Sequence, residues 1–434
     1  MSHFSLNLGF LLFFSWILNQ TSLAHQHDRR DSGVDQPNVF EILEREKLLR
    51  EDCAWAWEQL EVEQAKRFLA QAKKQPGEGI SIAHIDTGIL PFPALQRNHS
   101  KRLATAPSDT LQSSSLLSGT FNFVQLNLPA IDNNPKAPNF GHGTETASLI
   151  IGSLAENNVV NWAFHGVSPA AQIIPIKVTD SVVMLGNVAT SGTADLRNLA
   201  QGIRLATRLG AHIMTISLGA LFDGDNLIAK AVQEALDSGT IVVAAAGQVV
   251  PIDLVPLPAS LPGVVSVTAS TREREHWQYA FSGKNISWAA PGENVCHFSM
   301  NKNATYDLHP SLSNQIVELA TRDGASMTLR GLIRKSSGTS YSTAFTAGAA
   351  ALWLQHHSWE KLSKLYGQKN ISRLFISVAQ SYGMDRPEKW NVRRHGAGIL
   401  NIRKLLEAPL PCNEQDSFES CSVKFSDFLS STSR

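Results

Sequence analysis

Three short segments of this chain carry side chains that could act together in nucleophilic catalysis. Asp86 ends an apolar run, His142 stands between two glycines, and Ser340 precedes a run of small residues. A serine hydroxyl is a weak nucleophile until a neighbouring base removes its proton. Histidine suits that task because its pKa lies near neutral pH, and a carboxylate can fix its tautomer and stabilise the imidazolium. The three residue types therefore indicate a catalytic triad.

Each segment also has a simpler interpretation when it is taken alone. An Asp-Thr-Gly sequence is more often a turn, a histidine before a helix more often caps it, and Gly-Thr-Ser is more often a loop. The combination is more specific, because each of the three residues stands at the end of a predicted strand or the start of a predicted helix. Together they predict a single site.

Short β-branched runs alternate with amphipathic helices through the middle of the chain. They predict buried strands at residues 80–85, 172–178, 213–218, 241–246 and 264–268, and helices at residues 194–209, 226–238 and 341–354. This alternation favours an α/β fold, a doubly wound, mostly parallel sheet with helices on both faces. Ligands of such sheets bind beyond the carboxyl ends of the strands, where Asp86 stands. Residues 90–139 and 293–336 lack the pattern and are predicted to be long irregular stretches.

The amino-terminal residues predict export. Residues 8–18 form an apolar run, and Ser22-Leu23-Ala24 follows a polar break, which is typical of a signal peptide over residues 1–24. The alternative, a membrane anchor, is weaker because so short a run cannot cross about 30 Å of hydrocarbon as a helix. No later apolar segment approaches the length of a membrane-spanning helix. We therefore expect a secreted protein, extracellular or periplasmic, that is cleaved after Ala24.

Export makes the pairing of the four cysteines relevant. Cys412 and Cys421 are close in sequence and could close a short loop, which would leave Cys53 and Cys296 as the other pair. Four cysteines allow three connectivities, and the sequence does not choose among them. Four free thiols are the alternative if the protein acts inside a reducing cell.

The motifs around the three candidate residues resemble those of the subtilase family of serine proteases. Residues 85–89 (IDTGI) resemble its aspartate motif, residues 141–144 (GHGT) its histidine motif, and residues 338–340 (GTS), followed by 347–352 (AGAAAL), its serine motif. The order Asp, His, Ser is also that of subtilisin, whereas chymotrypsin and the α/β-hydrolases have other orders. The resemblance covers roughly residues 79–406. It implies a serine endopeptidase that cleaves protein or peptide substrates through an acyl-enzyme intermediate.

The resemblance also implies residues that contact the substrate, together with departures from the family pattern. It predicts substrate-binding residues in two segments, Ser217-Leu218-Gly219 and Ala245-Ala246-Gly247. Gln248 stands where subtilases usually carry the asparagine that donates to the oxyanion, and we expect it to take that role. Glu145 replaces a histidine that usually follows the histidine motif. The alternative function is a binding protein on a subtilase fold, with catalysis weakened by Gln248.

The domain organisation and the partners are predicted from these motifs and from the composition of the chain. We predict a signal peptide at 1–24, an N-terminal helical extension at 25–78, a subtilisin-like peptidase domain at 79–408 and a poorly ordered polar tail at 409–434. No cofactor is expected for the chemistry, although a structural Ca²⁺ is conceivable near residues 156–158. The chain has 38 Lys+Arg and 38 Asp+Glu residues. This balance gives no indication of a nucleic-acid partner.

Overall fold

A nine-stranded sheet lies at the centre of the described part of the chain. This computed structural model describes residues 51–70, 74–96, 120–126, 128–153, 165–184, 192–221, 223–248, 255–301 and 316–432. These residues belong to one compact unit, Glu46–Arg434. The predicted signal peptide and the predicted calcium segment 156–158 lie outside the described residues.

The central sheet is parallel except at one edge. Its strands are β1 (Ser81–Asp86), β2 (Phe121–Asn122), β3 (Gln172–Lys177), β5 (Ile213–Ile216), β7 (Ile241–Ala245), β8 (Val265–Ser270), β9 (Trp288–Pro291), β13 (Met384–Asp385) and β14 (Ile399–Leu400), in the order β13-β14-β9-β8-β7-β5-β1-β3-β2. Only β13 and β14 pair in antiparallel fashion. Two further strands, β4 (Val183–Met184) and β6 (Gly219–Ala220), form a small parallel sheet. The predicted mostly parallel sheet is confirmed.

Helices cover both faces of the sheet. They are α1 (Trp55–Gln59), α2 (Val62–Ala70), α3 (Pro93–Gln96), α4 (His142–Ile151), α5 (Gly192–Arg208), α6 (Leu227–Asp237), α7 (Thr339–His357), α8 (Trp359–Tyr366), α9 (Ile371–Tyr382), α10 (Val392–His395), α11 (Ile402–Glu407) and α12 (Phe418–Thr432). Successive side chains of a strand point to opposite faces. Accordingly, Ile82 of β1 packs in the apolar cluster that contains α4, α7 and α9. Ala83 and Ile85 pack in the cluster that contains α5 and α6, as in a doubly wound fold.

The described residues of the stretch 293–336, which are 293–301 and 316–336, are not irregular, so the prediction was wrong for them. Most of them form a three-stranded antiparallel sheet of β10 (Val295–Asn301), β12 (Ser326–Ser336) and β11 (Ile316–Ala320). In β11, buried Val317 and Leu319 alternate with exposed residues. Only one face of β11 is buried, whereas residues 295–300 of β10 are all buried, with the polar His297 and Ser299 interrupting its apolar run. Neither strand therefore shows the continuous apolar run of the central sheet. The strand β10 packs against α4, the helix that begins at His142.

The two ends of the described chain pack on the main body. Trp55 and Ala56 are buried in the core cluster, so the segment predicted as an N-terminal extension contributes to the core of the same unit. The prediction of a poorly ordered tail was wrong, because α12 packs on α8. Phe425 of this helix is buried against the ring of Tyr366, with ring centroids 5.4 Å apart. The polar residues that suggested disorder lie on the exposed faces of the helix.

The two cysteine pairs considered from the sequence are both disulfide-bonded. Cys53 is joined to Cys296, and Cys412 is joined to Cys421. All four cysteines of the chain are therefore used, and the alternative of four free thiols is wrong. The first bond links residues separated by 243 positions and attaches β10 to the segment before α1.

Candidate active site

Asp86 and His142 meet at the carboxyl end of β1. The Asp86 carboxylate is 1% exposed. Its Oδ1 accepts a hydrogen bond from His142 Nδ1 at 2.8 Å and another from the Thr87 N–H at 2.7 Å. Burial raises the pKa of Asp86, whereas the charge and hydrogen bond of His142 lower it by more, so that the pKa lies below its ordinary value. An ionised carboxylate therefore faces the imidazole.

His142 is the first residue of helix α4. Gly141 precedes it with φ 91°, a left-handed conformation that glycine adopts without the steric cost of a side chain. Burial lowers the pKa of His142, but the Asp86 charge and hydrogen bond raise it, and the carboxylates of Glu145 and Asp132 add to this effect. The net pKa is above the ordinary value. The imidazolium is thus stabilised by its surroundings, as a general base requires once it has taken a proton.

Ser340 is the second residue of α7, so its backbone N–H lies in the first turn of a long buried helix, where N–H groups have no acceptor one turn earlier in the helix. Its hydroxyl donates to the Ser217 carbonyl at 3.3 Å. Among the described residues, no hydrogen bond joins Ser340 to His142. Catalytic hydrogen bonds are often long without substrate and tighten when it binds. Ser217 itself follows β5, which pairs with β1 so that Ile216 lies opposite Ile85. Ser217 and Asp86 therefore lie at the ends of neighbouring strands.

Gln248 lies at the amino terminus of the same helix. Its Oε1 accepts hydrogen bonds from the Thr339 N–H at 2.6 Å and from the Thr339 hydroxyl at 3.3 Å. Gly247, with φ 92°, donates its N–H to the Thr339 hydroxyl at 3.2 Å. Because the amide oxygen of Gln248 is already used, its Nε2 group is the part of the side chain that remains available as a donor to a ligand.

The predicted substrate-binding residues have different surroundings. Ser217 contacts Ser340, and Gly247 contacts Thr339, so both lie beside the nucleophile. Leu218 is 4% exposed, and Gly219 lies in the short strand β6. Ala245 ends β7, and the N–H of the fully buried Ala246 donates to Val267. The alanines therefore form part of the sheet behind the site.

A buried ionic network supports Thr87 and Gly141, the neighbours of the Asp-His pair. Asp132 Oδ2 accepts from the Thr87 hydroxyl at 2.9 Å and from the Gly141 N–H at 2.8 Å. The fully buried Lys177 donates to the Thr87 carbonyl at 2.8 Å and lies 2.6 Å from Asp180 and 3.8 Å from Asp132. Burial raises the pKa of Asp132 to about 6, although the Lys177 charge opposes this.

Sequence reasoning missed the role of this network. Lys177 ends a predicted buried strand, and a lysine in such a position was the one available signal that it has a buried partner. Asp132 stands in a stretch that was predicted to be irregular, where no pattern marks a carboxylate as buried. Asp132 and Lys177 are distant in sequence and come together only in the folded chain.

Metal-binding clusters and membrane-spanning helices are both absent from the described residues. No cluster of three or more His, Cys, Asp or Glu side chains within them is placed to hold a metal ion. None of the helices in the described ranges combines the length and apolar character that crossing a membrane needs.

Known proteins resemble this chain in sequence and in fold. The Peptidase_S8 family, described as the subtilase family, matches residues 77–398, which is more than half of the chain. The thermostable alkaline protease of Halalkalibacterium halodurans is 29% identical over 71% of this chain and 65% of its own length. The minor extracellular protease Epr of Bacillus subtilis is 28% identical over 65% of this chain and 38% of its own length. The chain thus spans less than two thirds of either protease.

A solved structure has the same fold. The crystal structure of MycP1 from Mycobacterium smegmatis superposes with a TM-score of 0.54 and 21% sequence identity, over 84% of this chain and 86% of that chain. At this level of identity the similarity establishes the fold alone.

Proposed function

The chain belongs to the subtilase family, and on that premise we propose that it is a secreted serine endopeptidase that hydrolyses peptide bonds. Ser340 is the nucleophile, His142 the general base, and Asp86 the carboxylate that orients His142. The observation that carries the proposal is the 2.8 Å hydrogen bond between the buried Asp86 and His142. Subtilases need no cofactor for catalysis, so these side chains supply the proton transfers.

The proposed reaction has two halves. Ser340 Oγ attacks the carbonyl carbon of the scissile bond while its proton passes to His142 Nε2. His142 then gives that proton to the leaving amine, which departs and leaves an acyl ester on Ser340. In the second half a water molecule loses a proton to His142 and attacks the ester carbonyl. The bond between the carbonyl carbon and Ser340 Oγ then breaks, His142 returns the proton to Oγ, and the carboxylic acid product leaves. Asp86 holds the Nδ1–H of His142 throughout, which keeps Nε2 free to accept.

We assign the oxyanion hole to the Ser340 N–H and the Gln248 Nε2 group. The first lies in the first turn of α7, where backbone N–H groups lack an acceptor within the helix and the helix dipole favours negative charge. The second is oriented by the hydrogen bonds that fix its Oε1 to Thr339. Donors of this kind stabilise the transition state because they are already in place when charge develops on the carbonyl oxygen.

The substrate backbone is proposed to lie along the segments that flank this hole. Ser217-Leu218-Gly219 runs from the end of β5 into β6, so an extended peptide could pair with its edge. The second segment runs from Ala245, the last residue of β7, to Gly247, whose N–H donates to Thr339 beside Ser340, so Gly247 is the part of this segment that is proposed to face the substrate. Extended substrates suit such sites because main-chain hydrogen bonds bind them largely independently of sequence.

Covalent labelling with a fluorophosphonate probe tests the proposal. The probe should label Ser340 in the wild type and fail to label Ser340→Ala, and casein cleavage should be lost in Ser340→Ala and in His142→Ala while circular dichroism is unchanged. Ser363→Ala is the matched control, because its hydroxyl is buried without a hydrogen-bond partner among the described residues. A folded Ser340→Ala protein with undiminished activity would refute the assignment. A folded wild type that is neither labelled nor active would support a binding protein instead.

We also infer export with removal of residues 1–24. Support comes from the two disulfide bonds, because disulfides persist in oxidising compartments and are rare in the cytosol. Amino-terminal sequencing of the protein from its native host should begin at His25. Recovery of a cytosolic protein that still begins at Met1 would contradict this.

A further inference from the structure

A carboxylate links the helix that begins at His142 to the helix that carries Ser340. Glu145 lies three residues after His142 on α4, and its Oε2 accepts a hydrogen bond from the hydroxyl of Tyr341 at 3.0 Å. Tyr341 directly follows the nucleophile and is 5% exposed. The two ends of this bridge thus lie within one helical turn of the proposed base and next to the proposed nucleophile.

The strand β10 fixes both ends of the bridge. Glu145 Oε1 accepts from the Ser299 hydroxyl at 2.7 Å, so both carboxylate oxygens are used. The ring of Tyr341 stacks on His297 with centroids 4.8 Å apart and planes 12° from parallel. Stacking and burial hold the ring in one orientation, and its hydroxyl therefore faces Glu145 rather than solvent. The strand is itself attached to α4, because the Phe298 N–H donates to the Ser148 hydroxyl at 3.1 Å.

We propose that Glu145 is a positioning residue that, through Tyr341, holds the helix of His142 in register with the helix of Ser340. The inference rests on the proposed function, since it concerns the distance between that base and that nucleophile. No hydrogen bond joins His142 to Ser340 among the described residues, so their relative position is set by the elements that carry them. The 3.0 Å bridge is a direct polar contact between those two elements.

Glu145 also acts on His142 through its charge. Burial lowers the pKa of His142, the Asp86 carboxylate raises it most, and the charge of Glu145 raises it further. Other titratable or charged groups on neighbouring elements also act on the side chains of His142, His297 or Tyr341. They are His84 and Asp86 on β1, Asp132 in the loop before α4, His297 on β10 and Arg334 on β12. A variant that removes only the Glu145 charge leaves all of these in place.

Two single variants separate the bridge from the charge. Tyr341→Phe removes the hydrogen bond and keeps the carboxylate. We expect kcat to fall about tenfold with KM unchanged, which is less than the roughly 10²-fold cost of a 1 Å misplacement, because stacking on His297 still holds the ring. Glu145→Gln keeps an acceptor for the Tyr341 hydroxyl and removes the charge. The pKa of His142 then falls, and the acidic limb of the pH profile of kcat/KM moves to lower pH, while kcat on the plateau stays close to that of the wild type.

The matched control is Tyr366→Phe. Tyr366 is also buried, and its hydroxyl accepts the Cys412 N–H at 2.8 Å, in a contact between α8 and the segment before α12. This variant should keep the wild-type kcat and pH profile. A wild-type kcat in Tyr341→Phe, or an equal loss in both tyrosine variants, would overturn the positioning role. An unmoved acidic limb in Glu145→Gln would overturn the charge effect.

A titration of His142 by NMR in the Ser340→Ala background keeps this inference separate from the proposed function. The His142 resonance, assigned by its loss in His142→Ala, should titrate at lower pH when Glu145→Gln is added and should not move when Tyr366→Phe is added. If the wild type hydrolyses no peptide but the shift is seen, the proposed function fails and the effect of the Glu145 charge on His142 stands. If the wild type is active and the shift is absent, the charge effect fails and the proposed function stands.

Discussion

Replacing Gln248 with alanine removes two interactions of different kinds. Its Oε1 accepts the Thr339 N–H at 2.6 Å, so alanine leaves this helix-terminal N–H unpaired. Loss of a comparable helix cap costs about 0.5–2 kcal/mol in the free energy of unfolding. Loss of the Nε2 donor acts on the transition state instead, where removing one donor from the oxyanion hole of subtilisin costs about 10²–10³ in kcat.

The structure places the expected loss near the lower end of that range. The amide is oriented by two hydrogen bonds from Thr339, but glutamine carries one more methylene than the usual asparagine and holds its donor less rigidly. We therefore expect Gln248→Ala to lower kcat about 10²-fold, which corresponds to about 2.7 kcal/mol. KM should change little, because the interaction forms mainly in the transition state.

The assay is steady-state hydrolysis of a chromogenic peptide, with urea unfolding of the same variants. Gln248→Glu is the matched control, because it keeps an acceptor for Thr339 and replaces the donor with a negatively charged oxygen. Its kcat should fall below that of Gln248→Ala. Gln248→Asn keeps both groups and should change kcat by less than alanine does. A wild-type kcat in the alanine variant would show that Gln248 lies outside the oxyanion hole, and recovery of kcat by glutamate would show that it only caps the helix.

Two further predictions concern stability. The pKa of Asp132 is raised by burial to about 6, so its contribution to stability is fully present below about pH 4 and is lost as pH rises through 6, by roughly 3 kcal/mol. Asp132→Asn should remove this fall in urea unfolding measured from pH 4 to 7, and an unchanged slope would refute the buried titration. Breaking the Cys53–Cys296 bond by double serine substitution should cost more than breaking Cys412–Cys421, at roughly 5 against 3 kcal/mol, because it closes the longer loop, 243 against 9 residues of separation. Equal midpoints in thermal unfolding would contradict this order.

The sequence predicted the central sheet because its strands are buried on both faces. Runs such as residues 241–246 are continuous and apolar, and the observed strand Ile241–Ala245 differs from the prediction by one residue. Asp86 and His142 could be paired in advance because their motifs are local and stand at element ends. The hydrogen bond between them is observed, whereas the catalytic roles of Asp86, His142, Ser340 and Gln248 all remain predictions.

The structural features that the sequence did not predict depend on contacts between distant parts of the chain. The strand Ile316–Ala320 alternates buried and exposed residues over only five positions, and pairing with β12 holds it in place. Glu145 was noted only as a departure, because nothing local connects it with Tyr341, which is 196 residues away. The helix Phe418–Thr432 was taken for disorder because few of its positions are buried.

The bond between Cys53 and Cys296 turns much of the molecule into a covalent ring. Asp86, His142 and Gln248 lie inside the ring, and Ser340 lies outside it. A single cut of the backbone anywhere between Cys53 and Cys296, including one made by the protein on another copy of itself, therefore opens the ring without releasing a fragment. Such a nicked molecule keeps base and nucleophile on one covalent framework and runs as two pieces only after its disulfides are reduced.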